Sequence, residues 1–174
     1  LHRYMIRNQE YHQLLQVYKA SAGSGKTYQL AYNYIKYLFL AQEAYIMDDD
    51  SSKWYPNAHR TILAVTFTNK STDEMKTRIL DRLFKLSKNN FSGEIADYVE
   101  KLKHDCNFLA DKDDSVFSSV AGRLLSDLLQ DFPSFRVSTI DSFFQSIVRS
   151  FAQELNIDMN YRVELDTDVI IEEA

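Results

Sequence analysis

Leu14-Leu15-Gln16-Val17-Tyr18-Lys19-Ala20-Ser21-Ala22-Gly23-Ser24-Gly25-Lys26-Thr27 begins as a short apolar run and ends in a turn of small residues. The run reads as a buried strand. Leu30, Ala31, Tyr34, Ile35 and Leu38 then recur at helical spacing, so an amphipathic helix is expected from Thr27 to about residue 44. Between strand and helix, Ala20 to Thr27 matches the phosphate-binding spacing G-x-x-x-x-G-K-[ST], with Ala20 where the first glycine usually stands. A triphosphate needs many donors aimed into one small volume. With Ser21, Ala22 and Gly23 leading in, the successive amides of Ser24, Gly25 and Lys26 can face it without an intervening side chain. Lys26 is placed to neutralise phosphate oxygens, and the Thr27 hydroxyl suits Mg²⁺, a cation that takes oxygen ligands. The positive end of the following helix adds to both. Tyr28 has two readings: a ring stacked on a nucleotide base, or one half of a surface pair with Tyr32 at i,i+4.

Working outward, residues 48–59, with their acids, Ser51-Ser52 and Pro56, read as a loop. Thr61-Ile62-Leu63-Ala64-Val65-Thr66 reads as a central parallel strand covered on both faces. Ser71-Thr72-Asp73-Glu74 has the spacing of a capping box, which would start a helix whose stripe is Met75, Ile79, Leu83 and Leu86. Two further helices are expected near residues 94–106 and 115–129, with Ile95, Val99, Leu102 and Val116, Val120, Leu124, Leu128 as their apolar faces. After Pro133, residues 135–140 read as a strand, and Asp141 reads as the cap of a helix carrying Phe143, Ile147, Phe151 and Leu155. Residues 161–165 are expected to form a last short strand. The order β-loop-α-β-α, helical insert, β-α implies an α/β fold with a mostly parallel sheet flanked by helices. Ligands of such sheets sit at the carboxyl ends of the strands, where residues 20–27, 66–75 and 139–143 all fall.

The 174 residues fit one domain, and their formal net charge of −5 excludes a broadly basic nucleic-acid binder, so any contact with nucleic acid must be local. The single Cys106 cannot close an internal disulfide and reads as a small buried side chain. No run approaches a membrane span and the first ten residues lack the apolar middle of a secretory signal, so a cytoplasmic location is expected.

The segment Thr66-Phe67-Thr68-Asn69-Lys70 concentrates hydroxyls, an amide and an ammonium around one aromatic ring. Phe67 stacks on a base and Thr68, Asn69 and Lys70 bond phosphates on one reading. On the other, Phe67 is core and Asn69 to Ser71 merely begin a helix.

Taken together, Lys19 to Thr27, Ile62 to Lys70 and Val137-Ser138-Thr139-Ile140-Asp141-Ser142-Phe143-Phe144-Gln145 closely resemble superfamily 1 DNA helicases of the UvrD/Rep type. The resemblance implies a RecA-like P-loop NTPase sheet, with residues 1–174 forming an incomplete N-terminal motor domain and residues 90–132 a helical insertion in it. It implies ATP and Mg²⁺ on the loop, with Lys26 and Thr27 as the residues acting on them. It further implies single-stranded DNA as partner, contacted by Thr66, Phe67, Thr68, Asn69 and Lys70 and by Thr139, Ser142 and Phe143. The Ala-Ser-Ala-Gly wording of the loop is similar to the RecB/AddA branch, which acts in double-strand-break processing; a nuclease or recombination partner stays open.

The chain also departs from the family pattern. Asp141 stands where these helicases commonly carry His, and Ser71-Thr72 replace small alanines. Gln9, Gln13 and Gln16 all lie closer to Lys26 than the adenine-reading glutamine should. Hydrolysis also needs an apolar strand ending in acids, and an arginine finger. Val169-Ile170-Ile171-Glu172-Glu173 only mimics such a strand, so the acidic motif is expected beyond Ala174 and the chain by itself to turn over little. Two other functions fit parts of the pattern: a self-contained P-loop kinase using Asp141 on Mg²⁺, and a nucleotide-gated interaction module docking a partner through residues 94–129.

Overall fold

The computed structural model describes residues 25–48 and 50–154. The expected strands at 14–18 and 161–165, loop residues Ala20, Ser21, Ala22, Gly23 and Ser24, the three upstream glutamines and the acidic run at 169–173 lie outside them.

Helix α1 spans Lys26–Leu40 and buries Ala31, Tyr32, Tyr34, Ile35, Leu38 and Phe39. It stops short of residue 44 because Gln42 turns inward. The buried Gln42 amide brackets the backbone of Tyr55, donating to its carbonyl at 2.8 Å and accepting from its amide at 2.9 Å. A separate short helix α2, Glu43–Asp48, follows. The next residues make two 3₁₀ turns, Ser51–Lys53 and Ala58–Thr61, and the second takes the start of the expected strand. Thr61 donates its hydroxyl to the Ala58 carbonyl at 2.7 Å, a local bond that competes with sheet pairing.

Strand β1 is therefore only Ala64–Thr66. It pairs in parallel with β2, Val137–Thr139, in the register Ala64 to Val137, Val65 to Ser138 and Thr66 to Thr139. Among the described residues these two strands are the whole sheet, and the protein is mostly helical. Thr66, Val137 and Thr139 are buried, but Leu63 and Val65 are exposed, so among the described residues β1 is covered on one face.

The central helix is α3, Asn69–Leu86, which packs on α1, on the sheet and on the later helix Asp114–Gln130 through Met75, Ile79, Leu83 and Leu86. Helices α4, Glu94–Asp105, and α5, Asp114–Gln130, fall within one residue of their expected bounds. Cys106 is buried as expected, and burial pushes its thiol up to about 11. Helix α6, Ile140–Glu154, leaves directly from β2.

Side chains tie the approach to β1 to the approach to β2. Asp131 receives Arg60 Nε at 2.6 Å, lies 2.9 Å from buried His59 Nε2 and accepts from Ser134 Oγ at 2.9 Å. The Arg60 guanidinium is the main reason the Asp131 carboxyl is held well below the usual carboxylate range. Nearby, Trp54 Nε1 donates to Asp127 at 2.9 Å and lies under the Arg123 guanidinium at 4.0 Å. The stretch expected to be only a loop is thus pinned to α5, and it fixes where both strands begin.

Candidate nucleotide and nucleic-acid edge

Both strands end in a threonine, and Thr66 and Thr139 lie side by side in the register. Each strand then passes into a helix through a hydroxyl cap. Thr68, extended at φ −132° and ψ 152°, accepts the Ser71 amide on Oγ1 at 3.1 Å and donates to Ser71 Oγ at 2.9 Å. Such caps contribute about 1 kcal/mol. The cap of α3 is therefore Thr68 and not Ser71, because the chain leaves the sheet at Thr66 and turns helical at Asn69. Glu74, expected to reach back in a capping box, instead pairs with Arg78 one turn on at 2.9 Å.

The same correction applies at α6. Thr139 Oγ1 accepts the Ser142 amide at 3.2 Å and lies 2.8 Å from Ser142 Oγ. Asp141 caps nothing; it is an exposed acid in the first turn, favourable to the helix dipole.

Thr66 faces inward. Its hydroxyl donates to the Thr68 carbonyl at 3.1 Å and so receives the proton of Thr72 Oγ1, 2.6 Å away. Thr66 and Thr72 thus brace the turn from below, and Phe67 projects from it at 87% exposure. A core ring is not left in water at that level, so Phe67 is not part of the core. Asn69 and Lys70 are exposed beside it in the first turn of α3, which contains no acid. On α6, Phe143 is half-buried and Phe144 is exposed, their ring centroids 5.6 Å apart. Phe144 falls off the apolar stripe that Phe143 begins, because only one of two adjacent aromatics can sit on a helical stripe.

On the nucleotide side, Gly25 holds φ +78° and ψ 17° and its carbonyl accepts the Gln29 amide at 2.9 Å. Space is not the constraint there, since a methyl group would meet nothing within 4 Å; the left-handed backbone is what favours glycine. Lys26 begins α1, with Thr27 next and no acid in the first turn. Lys26 is exposed and Thr27 half-buried. A left-handed glycine followed by a helix amino end, an ammonium and a hydroxyl fits a Mg²⁺-bound triphosphate. Thr27 would hold the metal together with the phosphates.

Tyr28 and Tyr32 are not a surface pair. Tyr32 is fully buried, its hydroxyl donating to Asp105 at 2.9 Å with the Lys101 carbonyl 3.1 Å away. Tyr28 is half-buried and meets Tyr98 edge-on at 6.3 Å. No described helix is long and apolar enough to cross a membrane.

A family model described as the UvrD/REP helicase N-terminal domain matches residues 6–173. No curated protein and no solved structure matches at a significant level. Because that match runs through nearly all of the sequence, the chain belongs to the UvrD/REP helicase N-terminal domain family.

Proposed function

We propose that this domain is the ATP-binding first motor unit of a helicase that translocates along single-stranded DNA in repair or recombination, with residues 90–132 an insertion within it. Residues 20–27 hold the triphosphate, Lys26 on its phosphates and Thr27 on Mg²⁺, with Tyr28 at the base. ATP, once bound, supplies the phosphoryl chemistry that drives movement. The Ala-Ser-Ala-Gly wording of the loop favours the RecB/AddA branch.

The exposed ring of Phe67 carries the DNA half of this reading. Folding gains nothing from holding a phenyl ring in water on a doubly braced turn, whereas an unstacked base has a face that such a ring covers. Lys70 supports it, since a cation in the first turn of α3 opposes the helix dipole and an incoming phosphate offsets that opposition. Thr68, Asn69, Ser142 and Phe143 complete the path, while buried Thr66 and Thr139 act by shaping the turns.

Anisotropy titrations of the chain with labelled oligonucleotides test this. Single strands are expected to bind more tightly than duplex of equal length, with affinity falling as salt rises. Absence of oligonucleotide binding, together with phosphate transfer from ATP to a small acceptor, would replace the helicase with the kinase reading.

A further inference from the structure

One face of α4 presents Tyr98, Lys101 and Asp105, spaced three and four residues apart, to the amino half of α1. Tyr98 meets the edge of Tyr28 and, at 5.2 Å, of Tyr32. Asp105 takes the Tyr32 hydroxyl at 2.9 Å and lies 3.6 Å from Lys36 Nζ. Between them the Lys101 ammonium donates to Gln29 Oε1 at 3.2 Å, sits 4.0 Å from the centroid of Tyr32 and 5.8 Å from that of Tyr28. Gln29 in turn donates to Asn33 at 3.1 Å. All of Lys101's contacts on α1 fall in the two turns that follow Lys26.

Among the described residues no carboxylate lies within salt-bridge distance of the Lys101 ammonium. Gln29 is three residues from Lys26, a rise of about 4.5 Å along the helix. The ammonium therefore lies within about a Debye length of the start of α1, where its field adds to that of the helix amino end. Its π and hydrogen-bond contacts also brace the amino half of α1, the part of the helix that begins with Lys26 and Thr27.

We propose that Lys101, borne on a helix some seventy residues away in sequence, is a positioning residue for the triphosphate, setting nucleotide affinity through Tyr28, Gln29 and Tyr32. The inference rests on reading residues 20–27 as the nucleotide loop.

The test is a fluorescence titration of the 174-residue chain with a fluorescent ATP analogue and Mg²⁺, on wild type, Lys101→Met and Lys101→Arg. Methionine keeps an apolar stem of similar length over the tyrosines and removes the charge and donor; arginine keeps both. Lys101→Met is expected to weaken nucleotide binding roughly 3- to 10-fold, as loss of a partly desolvated cation–π contact does, and Lys101→Arg to restore it to within about 2-fold. Oligonucleotide affinity should not move. Equal affinities in all three proteins would overturn the proposal. So would weakening by both variants in step with a lower melting temperature, since Lys101 would then be merely structural. A wild-type chain that binds no nucleotide would overturn the nucleotide-loop reading itself, and this inference with it.

Discussion

Lys26→Ala is expected to weaken binding of Mg²⁺-ATP by roughly two orders of magnitude, the scale seen when one partner of a close, desolvated charge pair is truncated. Lys26 is the first residue of α1 and is followed by Thr27, with Gly25 holding the left-handed turn that precedes it. Its ammonium therefore belongs to the same small volume as the helix amino end. Lys26 is exposed, so its truncation opens no cavity in the core and the variant should still fold. Isothermal titration with ATP, alongside thermal denaturation, separates loss of binding from loss of fold. Unchanged affinity would remove Lys26 from the site.

Phe67→Ala is expected to weaken single-strand binding about 5- to 150-fold, the range that follows from a stacking contribution of about 1–3 kcal/mol per base. The ring is 87% exposed, so its removal should leave denaturation midpoints within about 0.5 kcal/mol of wild type. A buried phenylalanine would behave differently, costing about 3–5 kcal/mol on truncation, as Phe39 or Phe117 should. Nucleotide affinity should stay put because the bracing of the turn lies in Thr66, Thr68 and Thr72, not in the ring. Loss of stability without loss of DNA affinity would make Phe67 structural.

These residues also mark what was legible in the sequence. The helical stripes of α3, α4 and α5 were readable because each helix buries one continuous face, and apolar spacing alone defines a face. Cap identity was not. Residues 68–71 and 71–74 both fit a hydroxyl followed by a partner three positions on, and the choice between them is made by where the strand leaves its neighbour. The same holds for Thr139 against Asp141. The burial of Tyr32 was out of reach for another reason: its partners, Lys101 and Asp105, arrive from about seventy residues away, and no local pattern announces them. Phe67 directly follows an apolar strand, so composition cannot tell an outward ring from an inward one. Only the buried threonines on either side of the turn, both hydrogen-bonded inward, settle its direction.

The most direct test of the central claim, an ATP loop and a DNA-facing edge on one domain, is amide hydrogen exchange on the chain with Mg²⁺-ATP and with single-stranded DNA added separately. The account predicts that nucleotide slows exchange across residues 20–28 and that DNA slows it across residues 66–72 and 139–144. Protection by either ligand confined to residues 94–130 would contradict it, since that would place the binding surface on α4 and α5 rather than at the ends of the strands.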